Sequence, residues 1–500
     1  PGVPEPVKSA LLEGGKWWND AFSAAGYKNA FIVKVLPSNA DPMDIRYNVI
    51  QWVHRATRGW SYGSSVIDPR TGEILKGHVT LGSLRVRQDI LIAEALGAPY
   101  LKGNEVAKNL QAMALDRIRQ LSTHEIGHTL GIAHNFAASV GDRASVMDYP
   151  HPLLSFNEQG ELDVTRGYAS GMGVWDTQVI KYGYSDFTNQ DESAELATIL
   201  KENKTKGLEF ISDSDARAKG GAHPTAHLWD NGTNPAQELL RVLDVRKKAL
   251  SQFGINNIKT GDALSQLEEK LVPLYLFHRY QVEAAVKLIA GVNYEYETRN
   301  NSPAKGAQVV AKAQQQAAFS AILTTLKPAN LILPESVLAL IPPKAYGESK
   351  SRESITGRTG VTLDAMALPE VAAQHSLSLL LNPQRLNRLA QQQVRNSNFY
   401  SLDELLEQLY SQVFNVSSPN TMKGKITQRV QFLTAKNMAD LVTSDKVSPE
   451  VQAQLRFYLV KLSKEYNQNS MLSNTSVGES AFKQYLAEQI KQFLRPLLMK

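Results

Sequence analysis

The sequence predicts an α+β domain followed by a mostly α-helical region. In the first part of the chain, short β-branched runs lie among segments whose apolar residues have helical spacing, and one long helical segment ends in a cluster of histidines. From about residue 191 onward, almost every periodic segment is helical. We therefore predict two domains, residues 1–190 and residues 191–500, with a candidate break inside the second near residues 342–360.

The composition excludes several classes of protein. The charged fraction of 21% and the hydrophobic fraction of 43% are typical of a soluble globular protein. The net charge of +5 is small for 500 residues and no dense Lys/Arg block is present, so we expect no nucleic-acid partner. The absence of cysteine excludes disulfides, thiolate metal sites and thiol nucleophiles. No apolar run approaches the ~18 residues of a membrane-spanning helix, so we expect no integral membrane segment.

The predicted α+β domain begins with an amphipathic helix that starts near Val7 and ends near Gly26. Two compact β-branched runs follow at residues 30–36 and 47–53, and both are typical of buried strands in one sheet. A hairpin is predicted over residues 60–84, because the turn sequence DPRTGE at residues 68–73 separates two further strand patterns.

The second strand of this hairpin, residues 74–83, is a candidate edge along which an extended peptide would pair by β-augmentation. The alternative is an ordinary internal strand. Helical patterns then cover residues 84–101 and 105–130, and the last two turns of the longer one carry the histidines. An amphipathic segment at residues 174–184 closes the predicted domain.

The predicted helices of the C-terminal region are separated by polar breaks or by breaks that contain Gly and Pro. They cover residues 236–253, 263–289, 305–326, 369–390, 402–414, 427–442, 449–466 and 479–499. No repeat at a fixed period is present, so a solenoid is not supported.

The histidine cluster, HEIGHTLGIAH, has the spacing of a metal site. His124 and His128 are four residues apart on a helix, so both imidazoles project from one face and can meet one ion. Gly131 is placed where a left-handed residue can end the helix, and the chain can then turn and bring His134 to the same ion. Zinc prefers imidazole nitrogen in a tetrahedral shell, and a catalytic site keeps its fourth position for water. We expect one catalytic Zn²⁺.

Glu125 follows the first histidine and is expected to act as the general base. It would take a proton from the metal-activated water that attacks a carbonyl, and then give the proton to the leaving amine. Zinc supplies the activation of the water, so no protein nucleophile is required.

The motif HEIGHTLGIAH followed by SVMDY resembles the metzincin clan of zinc endopeptidases. The resemblance implies a metzincin-like domain with a mixed twisted sheet and a long active-site helix. It also implies His124, His128 and His134 as metal ligands, Met147 as the methionine beneath the metal, and Tyr149 as a catalytic residue that can contact zinc and stabilise the oxyanion. The alternatives are a core methionine at Met147 and a pocket-wall or core tyrosine at Tyr149. Asn135 and Asp148 are the positions where this sequence departs from better-known members.

Three segments, GWSYGSSVIDPRTGEILKGHVTLGSLR, STHEIGHTLGIAHNFAAS and SVMDYP, resemble a group of bacterial zinc-dependent metalloproteases with a long helical C-terminal extension. The resemblance implies an exported protein, periplasmic, secreted or at the cell surface, with an upstream domain or propeptide before this chain. It implies a peptide or protein substrate and zinc-dependent hydrolysis of peptide bonds.

Two other functions stay open at this stage. The chain could be a binding or scaffold protein that retains zinc but has gated or no protease activity, with the helical region as its working surface. It could also hydrolyse a non-peptide amide. A further segment, GGAHPTAHLWDNG, with His223, His227 and Asp230, is interpreted as a loop packed near the active-site cleft, the alternative being a second metal site.

Overall fold

The computed structural model describes residues 3–54, 59–104, 108–299, 305–469 and 476–495. By the packing of their Cα atoms, the described residues form two compact units. The first unit comprises Pro1–Ala216, Thr225–Thr233 and Ile255–Asp262, and the second comprises Arg217–Pro224, Asn234–Gly254 and Ala263–Lys500. A division of the chain at residue 190 and a break near residues 342–360 stay predictions.

The first unit contains the strands of the main sheet and the helices around it. Its helices are α1 (Val7–Lys16), α2 (Trp18–Ala24), α3 (Ser83–Gly97), α4 (Lys108–Thr129), α5 (Val174–Tyr184), α6 (Glu192–Thr205) and α7 (Asp213–Ala216). Its strands are β1 (Val49–Val53), β2 (Tyr62–Ile67), β3 (Ile74–Gly82), β4 (Ser155–Phe156) and β5 (Leu162–Asp163). Short 3₁₀ turns occur at Pro99–Lys102, Ala138–Gly141 and Ile255–Asn257.

The second unit is mostly helical in its described residues. Its helices are α8 (Pro235–Gln252), α9 (Leu267–Tyr275), α10 (Arg279–Val286), α11 (Lys312–Thr325), α12 (Pro328–Leu331), α13 (Glu335–Leu338), α14 (Ala367–Leu380), α15 (Pro383–Arg395), α16 (Leu402–Phe414), α17 (Met422–Val442), α18 (Pro449–Asn469) and α19 (Val477–Leu494). A 3₁₀ turn at Leu264–Gln266 and a two-residue ladder of β6 (Val292–Asn293) with β7 (Gln308–Val309) complete it. The predicted class, α+β with a helical C-terminal region, is confirmed.

The main sheet has the strand order β1-β3-β2. β1 pairs parallel with β3, and β2 pairs antiparallel with β3, which confirms the hairpin. The turn between β2 and β3 is closed by hydrogen bonds from Asp68 N to Glu73 O (2.9 Å) and from Gly72 N to Asp68 O (2.9 Å). The prediction that residues 74–83 form a free edge is wrong, because β3 has a neighbour on each side.

The strand predicted for residues 30–36 is also wrong, since this segment has no regular secondary structure. Its pattern is that of a strand, with Phe31 and Val33 half-buried while Ile32 and Val35 are exposed. A strand requires a hydrogen-bonded neighbour, and none of the described strands pairs with this segment. The run at residues 47–53 is confirmed as β1.

Two predicted helices of the C-terminal region are each divided in the structure. The helix predicted for residues 263–289 is split into α9 and α10, with Pro273 inside the last turn of α9. The helix predicted for residues 369–390 is split at Asn382, whose side chain accepts hydrogen bonds from the main chain of α15, just before Pro383. The start of the helix predicted from residue 105 and the end of the one predicted to residue 499 lie outside the described residues.

Arg385, which is buried, and Arg388, which is half-buried, organise the second unit. Arg385 Nε donates to Val286 O (2.8 Å), and its guanidinium also donates to Leu379 O. Arg388 donates to Ala290 O (3.1 Å) and to Gly220 O (2.8 Å). Main-chain carbonyls therefore compensate for the removal of both guanidinium groups from water, and they fix residues 219–221 within this unit.

No helix in the described part of the chain is both long enough and apolar enough to cross a membrane.

Helix α1 packs closely on α4, the helix that carries the histidines. Thr123 Oγ1 donates to Gly14 O (2.7 Å) and Ser122 Oγ donates to Leu11 O (2.8 Å). A Cβ added at Gly14 would lie only 2.1 Å from Arg119 O. A backbone carbonyl cannot move aside as a side chain can, so glycine is required for this helix contact.

We expect Gly14→Ala to destabilise the first unit by about 2–3 kcal/mol, because the helices must separate to admit the methyl group. Gly183→Ala is the matched control, since Gly183 is also helical and nothing lies within 4 Å of its added Cβ. The control should be neutral or stabilising by up to about 1 kcal/mol. Urea unfolding followed by tryptophan fluorescence measures both, and equal stability of the two variants would contradict the close contact.

Candidate metal centre

Helix α4 ends in a way that allows the third histidine to approach the first two. Gly131 has φ of 81°, Gly131 N donates to His128 O (3.1 Å), and Ile132 N donates to Gly127 O (3.1 Å). These two bonds form a Schellman motif, which satisfies the last carbonyls of the helix and reverses the chain. The predicted role of Gly131 as the residue that ends the helix is confirmed.

Each of the three histidines has an oxygen partner at Nδ1. His124 Nδ1 is 2.7 Å from Val146 O, and His128 Nδ1 is 2.9 Å from Ile132 O. His134 Nδ1 is 2.8 Å from Asp213 Oδ2. Because a carbonyl oxygen only accepts, the Nδ1 atoms of His124 and His128 must carry the proton, and Nε2 of each neutral ring carries a lone pair.

The Nε2 atoms of these rings converge. His128 Nε2 and His134 Nε2 are 3.1 Å apart, and a ligand atom of each of the three histidines lies within 4.8 Å of the others. His124 Nε2 is buried and has no hydrogen-bond partner among the described residues. Tetrahedral zinc with nitrogen ligands at about 2.0–2.1 Å holds those nitrogens roughly 3.3 Å apart. Lone pairs that face each other at this spacing repel unless a proton or a metal cation lies between them, and the spacing is close to that of two zinc ligands, so the residues fit a zinc ion.

Burial keeps the first two histidines neutral. Burial lowers the pKa of His124 well below its usual value, and the positive charge that His128 and His134 can carry lowers it further. Burial also lowers the pKa of His128, although the hydrogen bond to Ile132 opposes that shift. Neutral imidazole is the form that binds a metal, so the site is prepared for a cation at neutral pH.

Met147 lies beneath the helix that carries the histidines. Its side chain is fully buried, and a Cβ added at Gly127 would be 2.3 Å from Met147 Sδ and 2.7 Å from a ring carbon of Trp18. Trp18 is held there because its Nε1 donates to Thr123 O (2.8 Å). Met147 and Trp18 therefore pack against α4 at Gly127, which lies between His124 and His128 in the sequence.

The turn SVMDY is fixed by Asp176, a buried carboxylate that sequence reasoning missed. Asp176 accepts hydrogen bonds from Ser145 Oγ (2.6 Å), Val146 N (2.8 Å) and Gly173 N (2.9 Å). Ser145 Oγ in turn accepts from Met147 N (2.9 Å). Burial raises the pKa of Asp176 to about 7, although the three hydrogen bonds oppose the shift.

The raised pKa of Asp176 predicts a pH dependence of stability. An aspartate in the unfolded chain ionises near pH ~4, so between about pH 4 and the folded pKa of about 7 the folded chain holds one more proton than the unfolded chain. This proton stabilises the fold most at low pH, and the stabilisation is lost as pH rises to about 7. As the pH rises over this range, the free energy of unfolding of Asp176→Asn should therefore increase by a few kcal/mol relative to that of the wild type. Urea unfolding at several pH values tests this, and parallel pH profiles for the two proteins would contradict it.

Tyr149 lies beside two of the histidine rings. Its ring centroid is 5.2 Å from that of His124 and 4.9 Å from that of His134. Trp229 also packs against the Tyr149 ring, at a centroid distance of 5.0 Å, and Trp229 N donates to Tyr149 O (2.8 Å). Trp229 has a positive φ of 62°, a strained conformation for a bulky residue that the surrounding contacts must hold.

Glu125 is buried next to His124, and strand β2 passes close to it. A Cβ added at Gly63 of β2 would be only 1.9 Å from Glu125 O. The edge strand of the sheet is therefore in direct contact with the turn of α4 that carries the candidate base.

The two positions that depart from better-known metzincins both stabilise local structure. Burial raises the pKa of Asp148 well above its usual value, and the negative charge of Asp230 raises it further. Its carboxyl group accepts from Tyr149 N (2.6 Å). Asn135 N donates to Met147 O (3.2 Å), which connects the residue after His134 to the turn SVMDY.

The segment with His223 and His227 is divided between the two units, since His223 belongs to the second unit and His227 to the first. His223 Nε2 contacts Tyr294 O (2.9 Å). Among the described residues, the group of His, Asp or Glu side chains close enough to hold a metal ion consists of His124, His128 and His134. A second metal site at His223 and His227 is therefore not supported. Trp229 of this segment packs on Tyr149, so part of the segment lies beside the candidate metal centre, while its place near an active-site cleft stays a prediction.

Of the residues identified from the sequence, the structure brings the three histidines and Tyr149 together, packs Met147 against Gly127, and buries Glu125 next to His124 in α4. Sequence reasoning missed Asp176 and Asp213. Each of these contacts the site from a distant part of the chain, and nothing in its local sequence distinguishes it from other acidic residues.

Comparison with known protein families gives one result. A family model described as Met-zincin matches residues 107–420, which is more than half of the chain and includes the three histidines, Met147 and Asp213. No curated protein and no solved structure matches the chain.

Proposed function

This chain belongs to the Met-zincin family, and we propose that it is a zinc-dependent endopeptidase with Glu125 as the general base. The observation that carries the proposal is the convergence of the three imidazoles, with the Nε2 atoms of His128 and His134 3.1 Å apart. Two of the three rings have Nδ1 bound to a main-chain carbonyl, which leaves Nε2 as a metal ligand.

His124, His128 and His134 would hold one zinc ion. When bound, zinc supplies a Lewis acid that polarises the scissile carbonyl and increases the acidity of the attacking water. Imidazole ligands suit zinc, and the described part of the chain offers a three-histidine set, which leaves a coordination position for water or substrate.

Glu125 carries the proton transfers. As the water attacks the carbonyl carbon, the Glu125 carboxylate accepts a proton from it. When the C–N bond breaks, the same carboxyl group donates that proton to the amine that leaves. The burial of Glu125 limits exchange of this proton with bulk water and so directs it to the leaving group.

Tyr149 is the proposed donor to the developing oxyanion. Its ring lies against His124 and His134, and Trp229 also packs against it. A hydroxyl held beside the reacting carbonyl can stabilise the negative charge that forms in the transition state, an effect worth up to ~10²–10³ in rate for one donor.

We assign the extended substrate to the outer edge of β2 in place of β3. β2 is the terminal strand on its side of the described sheet and contacts α4 at Glu125. An extended peptide can add to such an edge through main-chain hydrogen bonds. Trp60, Tyr62 and Val66 are 61%, 40% and 57% exposed, so the edge offers apolar contacts to substrate side chains. Export from the cytoplasm and an upstream propeptide stay predictions.

The proposal is tested by incubating the zinc-loaded protein with an unfolded protein substrate and identifying the new N-termini by mass spectrometry. We expect internal peptide-bond cleavage that stops with a zinc chelator and resumes when zinc is restored. Zinc binding without any cleavage would favour the scaffold function instead, and release of an amine without new N-termini would indicate a non-peptide amide as substrate.

A further inference from the structure

One of the three candidate ligands has a carboxylate as its Nδ1 partner. Asp213 Oδ2 is 2.8 Å from His134 Nδ1, whereas the corresponding atoms of His124 and His128 contact main-chain carbonyls. Asp213 is 79 residues beyond His134, at the start of the short helix α7. An ionised carboxylate only accepts hydrogen bonds, so His134 Nδ1 donates and His134 Nε2 is left as the ligand atom.

We propose that Asp213 is a positioning residue for the metal centre, which fixes the orientation and tautomer of His134 and thereby raises the affinity for zinc. The inference rests on the proposed function, since it concerns the same zinc ion. A carboxylate on the far nitrogen of a ligating histidine orients the ring and increases the basicity of the nitrogen that binds the metal.

His134 needs such a partner more than the other two histidines do. His124 and His128 project from α4, whose backbone hydrogen bonds fix their positions. His134 follows the Schellman turn, in a segment without helical hydrogen bonds, so its ring depends on side-chain contacts for its orientation. Phe136 and Tyr149 pack against it, at centroid distances of 5.0 Å and 4.9 Å, and Asp213 provides the directional contact.

The segment that carries Asp213 is fixed to the chain just beyond His134. Asn135 Nδ2 donates to Glu209 O (2.8 Å), and Asn135 Oδ1 accepts from Ile211 N (3.3 Å). Phe136 N donates to Ile211 O (3.2 Å), and Ile211 is buried. These bonds hold residues 209–211 beside residues 135–136, and so place Asp213 two residues later at the ring of His134.

A surface ion pair does not explain this arrangement. The side chains of His134 and Asp213 are 16% and 43% exposed, and exposed pairs of this kind contribute about 0–1 kcal/mol. The Asn135 side chain is buried, and both its Nδ2 and its Oδ1 form hydrogen bonds with the segment that carries Asp213. A weak ion pair at the surface would not need its segment to be fixed in this way. Asn135 is one of the departures from better-known metzincins, and its hydrogen bonds help to place Asp213 at the ring of His134.

The test measures zinc affinity by competition with a chromophoric chelator, using the full chain. We expect Asp213→Ala to weaken zinc binding by about 10–100-fold. Asp213→Asn should lose less zinc affinity than Asp213→Ala, because its amide oxygen still accepts the hydrogen bond from His134 Nδ1. It should still bind zinc more weakly than the wild type, because the amide carries no negative charge. Asp186→Asn is the matched control, since Asp186 is exposed and its described contacts are with Thr188. The control should bind zinc as the wild type does.

The outcomes separate the inference from the proposed function. Equal zinc affinity of wild type, Asp213→Ala and Asp213→Asn would overturn the role of Asp213 and leave the peptidase proposal intact. A wild type that binds zinc but cleaves no peptide bond would end the peptidase proposal, while weaker binding in Asp213→Ala would still support the positioning role. If Asp213→Ala fails to fold, unchanged affinity of Asp213→Asn overturns the inference and reduced affinity supports it.

Discussion

Glu125→Gln is expected to lower kcat/KM for peptide cleavage by about 10²–10⁴-fold while leaving the zinc content unchanged. Glutamine has nearly the same shape as glutamate but cannot accept a proton from the attacking water. The proposed zinc ligands are His124, His128 and His134, so all three are still present when Glu125 is replaced. Initial cleavage rates and zinc content, measured on the same sample, test this prediction.

Glu158→Gln provides the control for charge, since Glu158 is exposed and lies in the same unit. Its cleavage rate should equal that of the wild type. A Glu125→Gln protein whose rate is within twofold of the wild type would rule out Glu125 as the general base, even if cleavage still depends on zinc.

The second large effect is expected for Gly127→Ala. The added methyl group would lie 2.3 Å from Met147 Sδ and 2.7 Å from the Trp18 ring, and both side chains are fully buried. Overpacking of this kind costs about 1–3 kcal/mol, and in this position the strain acts directly between His124 and His128. We expect both a lower free energy of unfolding and weaker zinc binding.

The two effects are measured by urea unfolding of the metal-free protein and by chelator competition. Gly183→Ala again gives the reference for a helical glycine with open space around it. If Gly127→Ala were as stable and bound zinc as tightly as that reference, the close contact of Met147 with α4 would be contradicted.

Features with a local cause could be predicted from the sequence. The position of His124 and His128 on one helix, the reversal at Gly131 and the turn between β2 and β3 each depend on a few neighbouring residues, and the structure confirms all three. The order of strands in the sheet depends on distant contacts, so a strand pattern alone did not show that β3 is central and β2 is the edge.

The supporting residues of the metal centre could not be predicted for the same reason. Asp176 and Asp213 are two among 49 acidic residues, and their sequence surroundings do not distinguish them from acids on the surface. Only the fold brings Asp176 to the turn of Met147, at 31 residues from Ser145, and Asp213 to His134.

The most direct test of a catalytic three-histidine zinc centre is a zinc titration of the metal-free protein, with bound zinc and the rate of peptide cleavage measured in each sample. The predicted result is a rate that rises in proportion to bound zinc and reaches its maximum at one zinc per chain. Undiminished cleavage by the metal-free protein, or a fully loaded protein that cleaves nothing, would contradict a zinc peptidase built on His124, His128 and His134.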